Sequence, residues 1–228
     1  MSAAGSVGPP VREPVTPAAT AAMSAQLGRP LRGAAAVTHR CPCGNPDVVE
    51  TSPRLPDGTP FPTLFYLTCP RAAAEVSRLE SAGTMREMTA RLADDPDLAA
   101  RYQAAHHDYL RRRSELAEVP EIAGVSAGGM PTRVKCLHVH VAHALAAGPG
   151  VNPFGDEALA TMAPWWADGP CVCPDEEDPT AGAGDEDRTV RVGDEARTAG
   201  DEARTAGDES RTAGEADGPA AGGTAATR

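Results

Sequence analysis

Short apolar runs rich in β-branched and aromatic residues come first along the chain, and longer runs with a helical period follow. Ala34 to His39, Asp47 to Ser52 (DVVETS) and Thr63 to Thr68 (TLFYLT) predict three strands. Pro56-Asp57-Gly58 between the second and third is a turn, because proline presets the first corner and glycine accepts positive φ. Pro42, Gly44 and Pro46 make the end of the first strand a tight loop. The expected product is a small antiparallel sheet, and three strands are marginal alone, so helices must cover one face.

The helical pattern starts at once. Thr68-Cys69-Pro70 can cap a helix with Ala72, Val76 and Leu79 on one stripe, ended by Gly83. Thr84 and Glu87 have capping-box spacing for a second helix through about Ala93. Asp95-Pro96 opens a third, with Leu98, Tyr102, Ala105, Tyr109 and Leu116 on its buried face and Arg111, Arg112 and Arg113 mostly toward solvent. His106 and His107 on this helix read as edge or surface residues. Met130 to Ala147 is apolar on most sides, which predicts a helix starting near Pro131 and more buried than any other. A short helix over Asp156 to Met162 and a packing clasp of Trp165 and Trp166 complete the domain.

The flanks lack such patterns. Residues 1–26 have several prolines and no periodicity, so a disordered leader is expected, with Met23 an alternative start. After Pro174 a seven-residue unit repeats: Gly193 to Ala199 and Gly200 to Ala206 are identical, and Gly207 to Ala213 differs only at Ser210. A coiled coil is excluded, since each unit holds a glycine and no large apolar residue for a seam. The organisation predicted is a leader over 1–26, a single α+β domain over 27–173, and a disordered acidic tail over 174–228 that is dispensable for the fold.

Charge changes the picture only when it is divided along the chain. From Pro174 onward there are fifteen acidic and six basic residues, a net −9 of the total −11, which leaves −2 for the first 173 residues. The domain is therefore nearly neutral and has no basic footprint for nucleic acid. No apolar run is long enough for a membrane helix, and the first thirty residues lack a secretory signal, so a cytoplasmic address is expected. In a reducing compartment six cysteines read as free thiols, metal ligands or redox groups.

Chemistry concentrates in Gly128 to Ala147, GGMPTRVKCLHVHVAHALAA, which holds a glycine pair, a thiol, three histidines and Lys135, the only lysine. On a regular helix Cys136, His140 and His143 share a face within about 60° and His138 points the opposite way, so Cys136 and His138 are not expected to hold one ion. Gathered by folding with HRCPCG and Cys69, these residues predict a tetrahedral metal site, best suited to zinc, drawing on His39, Cys41, Cys43, Cys69, Cys136 and His143. The alternative is a thiol-dependent enzyme for a small anionic substrate, using Cys69 at a helix N-terminus or Cys136, with Lys135 and His143 assisting. Gly128, Gly129 and Arg133 ahead of a helix form a candidate anion site. Against all of these stands plain packing, since cysteine is among the most buried residue types.

Two stretches, HRCPCGNPDVVETSPRLPDGTPFPTLFYLTCPR and EIAGVSAGGMPTRVKCLHVHVAHALAAGPGVNP, closely resemble the actinobacterial family of unknown function numbered 501, over roughly Gln26 to Cys171. The resemblance implies one cytosolic domain and no established activity; members are sometimes labelled septum-formation proteins. The cysteines, His39, His138 and His143 stand at positions where the family pattern is similar, and His140 departs from it, an apolar residue being expected there.

Overall fold

The computed structural model describes residues 8–173, so the expectation for the acidic repeats lies outside the described residues. Helix α1 (Pro17–Leu27) comes first, then β1 (Ala34–Arg40), β2 (Pro46–Thr51) and β3 (Phe65–Leu67), an antiparallel meander in the order β1-β2-β3. Val37 faces Val49 across the first pair, and Val48 faces Leu67 across the second. Five helices follow: α2 (Pro70–Ser81), α3 (Thr84–Asp94), α4 (Pro96–Leu116), α5 (Leu137–Ala147) and α6 (Pro153–Thr161). The α+β architecture expected from the sequence is the one observed.

The leader reading is corrected over 17–27. Thr16 caps α1 by accepting from the Ala19 amide at 3.1 Å, Pro17 fills the first helical position, and Gly28 ends the helix at φ 65°. Ala19, Ala22, Met23 and Gln26 are buried, and Ala19 and Met23 pack with Val37 and Val49. On the other face of the sheet Val48, Phe65 and Leu67 join the main core with α2, α4, α5 and α6. Every residue of β2 is buried as a result. The sheet is covered on both faces rather than on the single face expected.

The central helix is the second correction: it begins at Leu137, not near Pro131. Gly128 and Gly129 take φ 70° and 92°, where a Cβ on Gly128 would lie 2.9 Å from His140 Nε2 and one on Gly129 2.6 Å from the Arg133 carbonyl. The chain then folds back, with Lys135 N donating to Gly128 O at 2.7 Å and Arg133 N to Gly129 O at 3.1 Å. Neighbouring helices take the next polar groups: Tyr102 Oη donates to Arg133 O and Val134 N donates to Thr89 Oγ1, both at 2.9 Å. These partners keep 133–136 out of the helix, which starts only where Glu80 accepts from Leu137 N at 2.7 Å. Most of α5 is buried, as its apolar circumference predicts. Helix α6 crosses it so closely at Gly155 that any Cβ there would run into the His140 carbonyl.

Two side-chain readings on α4 also change. Arg113 is buried and donates to the carbonyls of Pro62, Ile122 and Val125, so only Arg111 and Arg112 remain on the outer face with Asp108. His106 is buried against Ser126 Oγ at 2.9 Å, whereas His107 is exposed. At α3, Gly83 at φ 88° is the cap and Thr84 the first helical residue, which displaces the expected capping box by one position.

Candidate functional site

The predicted site residues fall into separate groups. Cys69 caps the start of α2 and is fully buried; its thiol contacts those of Cys41, from the loop after β1, and Cys171. Cys171 accepts from the amides of Gln26 at 3.3 Å and Asn45 at 3.7 Å, and so joins the cluster although it is not among the ligands predicted from the sequence. Its hydrogen bond pulls the Cys69 thiol down, but the Cys41 contact and burial outweigh it and push Cys69 up to about 11. The Cys171 thiol is raised too, chiefly by Cys69. These groups are protonated at neutral pH, which removes the thiolate expected at the α2 N-terminus. Cys43 is half-buried beside the core.

His39 is enclosed on its own. Its Nδ1 donates to Asp47 Oδ1 at 2.6 Å and its Nε2 to Gly8 O at 3.0 Å, both side chains being fully buried. Burial lowers its pKa, but the Asp47 carboxylate and the Gly8 carbonyl outweigh that and raise it, giving an imidazolium–aspartate pair. With both ring nitrogens committed, His39 has no lone pair for a metal.

His140 and His143 share one partner. Asn152 Nδ2 lies 3.2 Å from Nδ1 of each ring and donates to both, while Asn152 Oδ1 accepts from Gly155 N at 3.0 Å and so caps α6. On the far sides, His143 Nε2 reaches Asp108 Oδ2 at 3.0 Å and His140 Nε2 reaches Gly128 O at 3.1 Å. Both rings are therefore neutral Nε2–H tautomers, fully buried. Burial lowers both pKa values, that of His140 to about 4. Between pH 6.5 and about 4 the unfolded chain binds protons that the folded chain refuses, so stability falls as pH falls through that window. His140 alone accounts for about 3 kcal/mol of loss, and a His140→Gln variant should show a shallower decline in chemical-denaturation titrations from pH 7 to 4.5. Both ring nitrogens of His143 are committed, Nδ1 to Asn152 and Nε2 to Asp108, so neither is free to assist Cys136.

What the fold brings together is Glu80, Cys136 and His138. Glu80 lies in the last turn of α2, Cys136 is the residue before α5, and His138 is in the first turn of α5. One ligand atom from each lies within 4.8 Å of the other two, and all three residues are half-buried. His138 Nδ1 sits 3.2 Å from Glu80 Oε1 and 3.9 Å from Cys136 Sγ. The contact with Cys136 raises the His138 pKa; burial opposes this, and Glu80 adds to the rise. His138 Nε2 faces outward, 3.5 Å from Ser77 Oγ. Because Cys136 is extended at φ −151° and outside the helix, its thiol can turn toward a ring that a continuous helix would aim elsewhere. That overturns the expectation that Cys136 and His138 point apart.

Cys69 and Glu80 are eleven helical steps apart along α2, about 16 Å at 1.5 Å per residue. The single shared site therefore resolves into a buried thiol cluster at one end of α2 and a Glu/Cys/His group at the other. Glu80 and Asn152 were missed, since neither belongs to a motif. Gly128, Gly129, Arg133 and Lys135 do share one cleft.

Fold and site together define an α+β domain with a half-exposed group of one carboxylate, one thiol and one imidazole suited to holding a metal ion. The chain belongs to the DUF501 family, described as a protein of unknown function, whose family profile matches residues 37–160. No curated protein and no solved structure matches the chain. Among the described residues, no helix is long and apolar enough to cross a membrane.

Proposed function

We propose that the protein binds a divalent transition metal, best zinc, through Glu80, Cys136 and His138, in a regulatory or structural role in the cytoplasm. The observation that carries this reading is the convergence of three different donor atoms within 4.8 Å. Glu80 and Cys136 both approach the same ring nitrogen of His138. A nucleophilic Cys-His-Glu triad needs the thiol and the carboxylate on opposite ring nitrogens, so this arrangement suits shared coordination better than proton relay. Sulfur, nitrogen and oxygen ligands together fit zinc. Three protein ligands leave one position open, which favours reversible, regulatory binding over a closed structural site. All six cysteines are free, as a reducing compartment would keep them.

Metal analysis of tag-free protein tests the reading. About one zinc per chain is expected, lost in Cys136→Ser and in His138→Ala and kept in Cys41→Ser and Cys69→Ser. Binding should weaken as pH falls, because the thiol and the imidazole must shed protons to ligate. Metal-free protein that takes up no zinc on titration at pH 7.5 would sink it, as would stoichiometric zinc that survives Cys136→Ser.

A further inference from the structure

We infer that the cleft beside the Gly128-Gly129 loop binds an organic oxyanion, a phosphate or carboxylate carried on an apolar group. The cleft has a volume of about 570 Å³, and its lining includes Val125, Gly128, Gly129, Thr132, Arg133 and Lys135. Arg133 and Lys135 are its only charged residues, with no carboxylate in the lining. Neither is ion-paired among the described residues, whereas eight of the thirteen other described arginines have acidic partners.

The backbone explains why the two cations converge. Burial alternates along this stretch: Arg133 and Lys135 are exposed on either side of the buried Val134. Val134 is buried and Cys136 turns toward Glu80, which leaves Arg133 and Lys135 together on the cleft side. Arginine offers a planar fork of donors and lysine a compact charge, a combination that matches the several acceptors of an oxyanion.

The cleft is also held in shape before any ligand arrives. The Gly128 carbonyl accepts from His140 Nε2 and Lys135 N, the Arg133 carbonyl from Tyr102 Oη, and the Val134 amide is taken by Thr89. His140 is neutral far below physiological pH, so its hold on Gly128 does not vary there. A preformed loop lowers the ordering cost of binding.

The apolar part of the ligand is read from Val125. It is 57% exposed, the only large hydrophobic side chain left open among the described residues, and it stands on the cleft. A bare inorganic ion would leave it uncovered.

Calorimetric titration of the full, tag-free chain at fixed ionic strength tests the site, with phenylphosphate, benzoate and inorganic phosphate as probes. At least one aromatic anion should bind more tightly than inorganic phosphate. Arg133→Gln and Lys135→Gln should each weaken it by about tenfold, while Val125→Ala weakens only the aromatic probes. Phenylphosphate binding over benzoate assigns a phosphate ester, and the reverse order a carboxylate; either supports the inference. The site does not depend on the metal reading, and Cys136→Ser should leave anion binding unchanged. Unchanged binding in the Arg133→Gln/Lys135→Gln double variant, with its melting temperature preserved, would overturn it, as would the absence of binding by every probe.

Discussion

Replacing Asn152 with alanine is expected to cost about 4 kcal/mol, a large share of the 5–15 kcal/mol typical of a folded domain. One side chain does three jobs there: its carbonyl caps α6 through Gly155 N, and its amide satisfies Nδ1 of both His140 and His143. Losing the cap costs about 1 kcal/mol, and each imidazole nitrogen left buried without a donor costs about 1–3 kcal/mol. No solvent can substitute, because His140, His143 and Asn152 are all fully buried. Asn152→Asp should be at least as damaging at neutral pH, since it sets carboxylate lone pairs against two imidazole lone pairs. Its acid response should differ, however. A carboxylate beside the rings raises their pKa, so the loss of stability between pH 6.5 and 4 seen in the parent protein should shrink in this variant. Urea denaturation at pH 7.5 and 5 measures both effects. A loss under 1 kcal/mol in Asn152→Ala would show that the three hydrogen bonds are not made in solution.

This network also marks the boundary of what local sequence patterns reveal. The strands, the Asp95 cap of α4 and the burial of α5 follow from propensity, turn chemistry and periodicity, which act over a few residues. Helix α1 carries its signals only at its ends, in Thr16-Pro17 and Gly28, because its body of alanines and small polar residues shows no stripe. The start of α5 misled for another reason. Pro131 is a good first-turn residue, but the paired glycines ahead of it fold the chain back, and the groups that keep it out of the helix come from Thr89 and Tyr102, more than thirty positions from their partners. That displacement of six residues decides the chemistry: it takes Cys136 off the helical face of His140 and His143 and delivers it to His138. Glu80 completes the group from 56 positions upstream, and no spacing rule joins a lone glutamate in an amphipathic helix to a thiol at that distance. The thiol cluster was half legible, because Cys41 and Cys69 flank predicted strand ends, whereas Cys171 arrives through the packing of the closing segment against Gln26 and Asn45.

A chain that begins at Met23 should be severely destabilised, by about 5 kcal/mol, and should aggregate where the full chain does not. The lost residues complete the sheet. Val11 N donates to Thr38 O, and Glu13 and Val37 exchange two backbone hydrogen bonds, all at 2.9 Å, so the segment lies along the outer edge of β1. Those three bonds are worth about 1 kcal/mol each. The Gly8 carbonyl is the sole partner of His39 Nε2 in a fully buried imidazolium, and its removal leaves that N–H unpaired. The truncation also strips the Thr16 cap and the first turn of α1, so Met23 no longer sits in a helix that can press it onto Val37 and Val49. An unpaired β1 edge next to newly open valines is a template for pairing between chains. Glu13→Pro in the full chain isolates the edge contribution: it removes one of the ladder donors and should cost about 1–2 kcal/mol while α1 remains. Denaturant midpoints and light scattering on the two variants distinguish these contributions, and a chain starting at Met23 with the stability of the full protein would mean that residues 8–22 do not belong to the folded domain.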